Sequence, residues 1–171
     1  MPTRVDRLTA LARGAYLHDV GKVAVADEIL NKPGPLTPEE RTVIETHPEV
    51  GHGLVLPSAP LAEALPVVLH HHERWDGTGY PDGLTGTSIP LIARIAAVAD
   101  VWDALTSDRS YRPGLPPQVA LAHITDGRGS HFDPVVVDAL VSVAADLGYT
   151  AGERSGDADV AEHAAETCHE A

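Results

Sequence analysis

At 171 residues and 43% apolar content, the chain is long enough for one ordinary domain with a substantial core. A net charge of −13 excludes a broad cationic face for DNA or RNA, although a local site for a small anion is compatible with it. Cys168 is the one cysteine, which excludes an intramolecular disulfide framework and a zinc site built on thiolates.

Aromatics make up only 4% of the chain, so the core rests on Ala, Val, Leu and Ile, and the alanines favour closely packed helices. The expectation is therefore an all-α fold. Arg4, Asp6 and Arg7 break up the first turns, so there is no signal-peptide core, and no later apolar run is long enough to cross a bilayer. A soluble, cytoplasmic protein without membrane insertion is expected.

Apolar residues recur at three- and four-residue steps from Val5 to Leu17, which predicts an amphipathic helix delivering His18 and Asp19 near its end. Gly21 then loosens the backbone, and Asn31 to Leu36 reads as a loop. Thr37-Pro38-Glu39-Glu40 has the marks of a helix start: a Thr cap, Pro at the first position and Glu three residues after the cap. That helix is expected to carry His47, with a turn or kink at Pro48. A third segment, roughly Leu61 to His72 and kinked at Pro66, ends in the run His70-His71-His72.

From Trp75 to Ser88 the density of Gly, Pro, Asp and Thr predicts only loop and turns. Ile89 to Ser107 returns to helical periodicity and places one acidic residue, Asp100, among alanines and valines, where a carboxylate needs a partner. Two shorter helices follow, Pro117 to Asp126 and Pro134 to Leu147, the second capped by Asp133 and closed by Gly148. Residues 1–149 are read as the folded domain and 150–171 as a poorly ordered acidic tail. There is no internal repeat.

His18, Asp19, His47, His71, His72 and Asp100 all fall at or near predicted helix ends. Imidazole and carboxylate without thiolate is a ligand set for zinc, iron or manganese, and six such groups suit two metals sharing a carboxylate. Each residue also has an ordinary reading: a local His-Asp hydrogen bond, a helix terminated at His47, an ion pair of Asp100 with Arg94 or Arg109. Taken singly, each ordinary reading is the favoured one; the balance turns to a metal site through the resemblance carried by the motifs below.

HDVGK at 18–22, HPEVG at 47–51, HHERWDGTGYP at 71–81 and IPLIARIAAVADVWDALTSDRSYR at 89–112 resemble, in order, the HD-GYP family of the HD metallohydrolase superfamily. The resemblance covers roughly residues 5–145, including NKPGPLTPEE and the FDP at 132–134. It implies an HD-domain-like helical bundle with a loop-rich GYP segment, holding two divalent metals, or three in some members, most often iron or manganese.

On that resemblance His18, Asp19, His47, His71, His72 and Asp100 match ligand positions, with Asp19 the bridge and catalytic together with Lys22. Lys22, Arg109 and Arg112 match phosphate-contacting positions; arginine's planar fork can hold two phosphate oxygens, whereas Lys22 acts as a point charge. An ordinary pair of Asp108 with Arg112 is the alternative for the last of these. Tyr80 falls at the loop rim, where substrate or a partner is met. His70 lies outside the matched pair and is expected beside the site or facing solvent, and Glu73 is expected to support the ligands.

The implied activity is hydrolysis of cyclic di-GMP to linear pGpG, and onward to GMP. One alternative is a catalytically impaired module that binds a cyclic dinucleotide or a diguanylate cyclase-type partner through the GYP loop, and another is a phosphohydrolase for a different nucleotide. The family usually carries a further helix upstream, with another histidine ligand; no histidine precedes His18, so the expected domain lacks that helix. The apolar surface this would leave suits a partner or a homodimer.

Overall fold

The protein is described by a computed structural model that covers residues 4–108 and 113–149. The expected acidic tail, Arg109 and Arg112 lie outside the described residues. The named elements among the described residues are all helical, in line with the alanine-rich composition, and no helix among them is long and apolar enough to cross a membrane.

Two compact units divide the chain, the first ending at Ala97 and the second starting at Val98. In the first, α1 (Arg4–Leu17) is followed by a 3-10 turn (Val20–Ala24), α2 (Asp27–Leu30), α3 (Pro38–Ile44) and α4 (His47–Val55). A second 3-10 turn (Ala59–Ala64) leads into α5 (Leu65–His70), and a long loop with one short 3-10 turn (Gly86–Ser88) precedes α6 (Leu91–Thr106), which carries the chain into the second unit.

Ala10, Ile44, Val55, Val67, Val68, Ile89 and Ala93 are buried here. α1 lies close on α5 because Gly14 has no side chain: a Cβ there would stand 2.5 Å from Cβ of Val67. Arg94 stacks over the Trp75 ring, 5.8 Å from its centroid, and ties the long loop to α6.

The second unit comprises the rest of α6, α7 (Pro117–Asp126) and α8 (Pro134–Asp146), around a core of Val98, Val101, Leu105, Ile124, Phe132 and Val137. Asp133 caps α8 by accepting a hydrogen bond from the Val135 N–H at 2.8 Å, and Gly148 follows the helix at φ +82°, the left-handed turn that glycine makes without strain. Arg128 grips Asp138 through two hydrogen bonds of 2.8 Å each.

The Thr37 capping box forms as expected: Thr37 Oγ1 accepts from Glu40 N–H at 3.3 Å, and Glu40 Oε2 accepts from Thr37 N–H at 2.7 Å. Three local expectations change. His47 is not carried on that helix, because α3 stops at Ile44 and His47 opens α4 with Pro48 behind it, where a proline costs no hydrogen bond. Pro66 likewise sits in the first turn of α5 and starts a helix where a kink was expected, the preceding residues forming the 3-10 turn. Asp100 is half-buried on α6, less enclosed than its apolar neighbours in sequence suggest.

Candidate metal centre

The site lies in the first unit, where three histidines leave helix ends in the same way. The last carbonyls of a helix have no intrahelical donor and need one from elsewhere. His18 directly follows α1, and its Nδ1 lies 2.7 Å from the Ala15 carbonyl. His47 follows α3, with Nδ1 2.8 Å from the Ile44 carbonyl. His71 follows α5, with Nδ1 3.1 Å from the carbonyls of both Val67 and Val68. In each case a contact reaches three residues back along the chain, and His71 also touches the carbonyl four back.

A carbonyl oxygen only accepts, so each Nδ1 must carry the proton. In the neutral imidazole each Nε2 is then an unprotonated acceptor. Those lone pairs converge. Nε2 of His47 and Nε2 of His71 are 3.2 Å apart, with His47 fully buried and His71 nearly so. Two acceptors held that close in a buried place repel unless a cation lies between them.

Asp19 stands against the same point and divides its oxygens. Oδ1 lies 3.4 Å from Nε2 of His47 and 4.0 Å from Nε2 of His71. Oδ2 lies 3.3 Å from Nε2 of His18 and accepts a hydrogen bond from Lys22 Nζ at 3.0 Å. Burial pushes the Asp19 carboxyl up, and the charge of Lys22, whose ammonium donates to Oδ2, pulls it down and favours the ionised form. Asp19 is therefore an anion. Its Oδ1 is buried and accepts no hydrogen bond, an arrangement that costs free energy for a charged oxygen unless a cation meets it.

His72 completes the cluster. It is 9% exposed, its ring lies 5.0 Å from that of His47, and Tyr80 stacks on it at 4.8 Å with an interplanar angle of 25°. Asp19, His47, His71 and His72 bring one ligand atom each to within 4.8 Å of one another. Buried imidazole lone pairs around an orphaned carboxylate oxygen are the donor set of a divalent metal such as zinc, iron or manganese, so the residues present fit such an ion.

Glycine sets the approach of Asp19 to His47. The 3-10 turn after Asp19 lies so close on α4 that a Cβ on Gly21 would stand 1.9 Å from the carbonyl oxygen of His47 and 2.6 Å from the Gly51 nitrogen. The expected loosening of the backbone is thus replaced by a packing reason. Lys22, 16% exposed, follows one residue later and points its charge at Asp19.

Glu73 supports the loop that carries Tyr80. It is 3% exposed, and its two oxygens accept the backbone N–H groups of Asp82 at 2.8 Å and Leu84 at 2.9 Å. Sequence reading could place Glu73 beside the ligands but had no signal for partners nine and eleven residues on. His70 is not solvent-facing, since its side chain is 13% exposed and turned to Glu73 and Asp82. The structure thus brings His18, Asp19, Lys22, His47, His71 and His72 together in one unit, while Asp100 belongs to the second.

Comparison with known proteins agrees with this geometry. A family model described as "HD domain" matches residues 3–136. A cyclic di-GMP phosphodiesterase of Vibrio cholerae is 49% identical over 140 residues, covering 78% of this chain and 28% of that protein. The cyclic di-GMP phosphodiesterase response regulator RpfG of Xanthomonas campestris is 45% identical over 152 residues, covering 88% of this chain and 40% of that protein. A 3'3'-cGAMP-specific phosphodiesterase of Vibrio cholerae is 41% identical over 127 residues, covering 73% of this chain and 24% of that protein. The chain thus spans well under half the length of these relatives. The metal-fitting cluster, the ordered motifs and these matches lead to one conclusion: the chain belongs to the HD domain family, in its HD-GYP branch.

Proposed function

We propose that the chain is a metal-dependent phosphodiesterase that opens cyclic di-GMP to linear pGpG, and onward to GMP, using two or three divalent ions, iron or manganese by preference. The observation that carries this reading is the convergence of the His47 and His71 Nε2 lone pairs on the uncompensated Oδ1 of Asp19. Divalent ions bound there would supply a hydroxide at neutral pH and offset the charge that builds on the phosphate oxygens.

His18, Asp19, His47, His71, His72 and Asp100 are the ligands in this reading. The division of Asp19's oxygens between His18 and Lys22 on one side and His47 and His71 on the other supports its role as a bridge. The Nδ1–H bonds to helix-end carbonyls fix the ring orientations before any ligand arrives, which limits reorganisation during the reaction. Lys22, already at the carboxylate, provides a fixed positive charge for a phosphate oxygen, and Arg109 and Arg112 provide bidentate donors for the rest of the dinucleotide. Tyr80, stacked on His72, is the residue assigned in this reading to contact a base or ribose of the substrate.

Protein loaded anaerobically with Fe2+ or Mn2+ should convert cyclic di-GMP to pGpG, with turnover abolished by chelation and restored by metal. Full metal loading with no product over hours would overturn the reading. A second substrate, 3'3'-cGAMP, is favoured by the relatives that carry it in their names. Competition between the two dinucleotides in one reaction separates the readings by the ratio of their kcat/KM values.

A further inference from the structure

Next to the main cluster, three other side chains meet without satisfying one another. His70 Nδ1 lies 3.8 Å from Glu73 Oε1 and 3.7 Å from Asp82 Oδ2, and the three ligand atoms fall within 4.8 Å of one another. We propose that His70, Glu73 and Asp82 form a separate site for a divalent transition-metal ion, one that staples the loop carrying Tyr80 to the end of α5.

The geometry argues for an ion over a simple ion pair. A protonated imidazole would close onto one carboxylate at hydrogen-bond distance, about 2.8 Å. Here both gaps remain open and nearly equal, and Nδ1 of His70 is a buried nitrogen with no hydrogen-bond partner. Ligand atoms on one tetrahedral ion with bonds near 2.1 Å are about 3.4 Å apart, so the two distances from His70 Nδ1 need to shorten by only a few tenths of an ångström, and the exposed Asp82 side chain can close the remaining one.

Glu73 is placed for this by other means. Its two oxygens hold the Asp82 and Leu84 N–H groups, and each carboxylate oxygen has a further lone pair for an ion. Asp82, with a side chain 56% exposed, closes the site from the solvent side and gives the ion a path of entry. One imidazole and two carboxylates suit manganese, iron or zinc better than magnesium, which favours oxygen ligands and retained water. The consequence is mechanical: an ion here links the residue before His71 to the loop that places Tyr80 on His72.

The test is Mn2+ stoichiometry and affinity, read by the EPR signal of free Mn2+ on the full chain. Asp82→Asn keeps the backbone N–H that Glu73 uses and alters an exposed side chain, so the fold is retained; His70→Gln is the second variant. Wild type should bind one equivalent more than either variant, or bind that equivalent about tenfold more tightly or better. Asp19→Asn combined with His47→Ala should lose the equivalents of the main cluster and keep this one, which separates failure of this site from failure of the phosphodiesterase reading. Equal stoichiometry and affinity in wild type and Asp82→Asn would overturn the proposal, as would loss of every equivalent in the Asp19/His47 double variant.

Discussion

Replacing Gly21 by alanine adds one methyl group where the structure has no room for it. The new Cβ would stand 1.9 Å from the His47 carbonyl oxygen, 2.6 Å from the Gly51 nitrogen and 2.8 Å from the His47 carbonyl carbon, against a floor of 3.0 Å for real contacts. All three neighbours are backbone, so no side chain can swing aside, and the 3-10 turn must retreat from α4 by more than 1 Å. Overpacking of this kind costs about 1–3 kcal/mol, and a backbone clash belongs at the upper end.

The same retreat pulls Asp19 away from His47, whose Nε2 is now 3.4 Å from Oδ1, so metal affinity should fall about 10–100-fold. Gly53→Ala is the matched control. Gly53 lies on the exposed face of α4 with nothing within 4 Å of an added Cβ, and its replacement should stabilise by about 0.5–1 kcal/mol through helix propensity. Thermal melts and Mn2+ titrations of the two variants give the answer. A loss of about 3 kcal/mol would lower Tm by roughly 6–12 °C. If Gly21→Ala melts and binds metal like Gly53→Ala, the packing argument is wrong.

Asp133→Ala removes the cap of α8 and should destabilise by about 1 kcal/mol in urea unfolding with unchanged metal binding, while Asp133→Asn should retain most of it. Lys22→Ala should leave metal content intact and lower kcat/KM for cyclic di-GMP about a hundredfold, because it removes a fixed charge from the phosphate; loss of metal along with activity would make Lys22 only a brace for Asp19. The Lys32 side chain and the Thr37 N–H hold the Glu40 carboxyl below its ordinary value. A depressed carboxylate contributes stability above its unfolded pKa of about 4.3 and loses that contribution as the pH falls below it. Wild type should therefore exceed Glu40→Gln in stability at neutral pH and converge with it in acid; a difference that persists at pH 2 would contradict the ion-pair cause.

The helices and their caps were legible because the signals are local. Thr37 with Glu40, Asp133 with Pro134, and Gly148 each act within a few residues, and each does in the structure what its type suggests. The site residues were legible only as a set, through motif order, since nothing local shows that His47 and His71, 24 positions apart, bring their Nε2 atoms to 3.2 Å. What escaped sequence reading depends on tertiary contact. Gly21 is required by a backbone it meets across the fold, and the place of Glu73 is set by N–H groups nine and eleven positions on. His47 opening its own helix follows from α3 ending at Ile44, whose carbonyl the imidazole itself satisfies.

In the proposed function His18, His47 and His71 hold their protons on Nδ1 and turn Nε2 to a metal. Long-range proton–nitrogen NMR correlations of the imidazole rings, recorded before and after titration with Zn2+, read this directly. A protonated Nδ1 is expected in all three residues throughout, with the large metal-induced shift confined to Nε2. A protonated Nε2 in His47 or His71 of the loaded protein, or metal shifts at Nδ1, would contradict it.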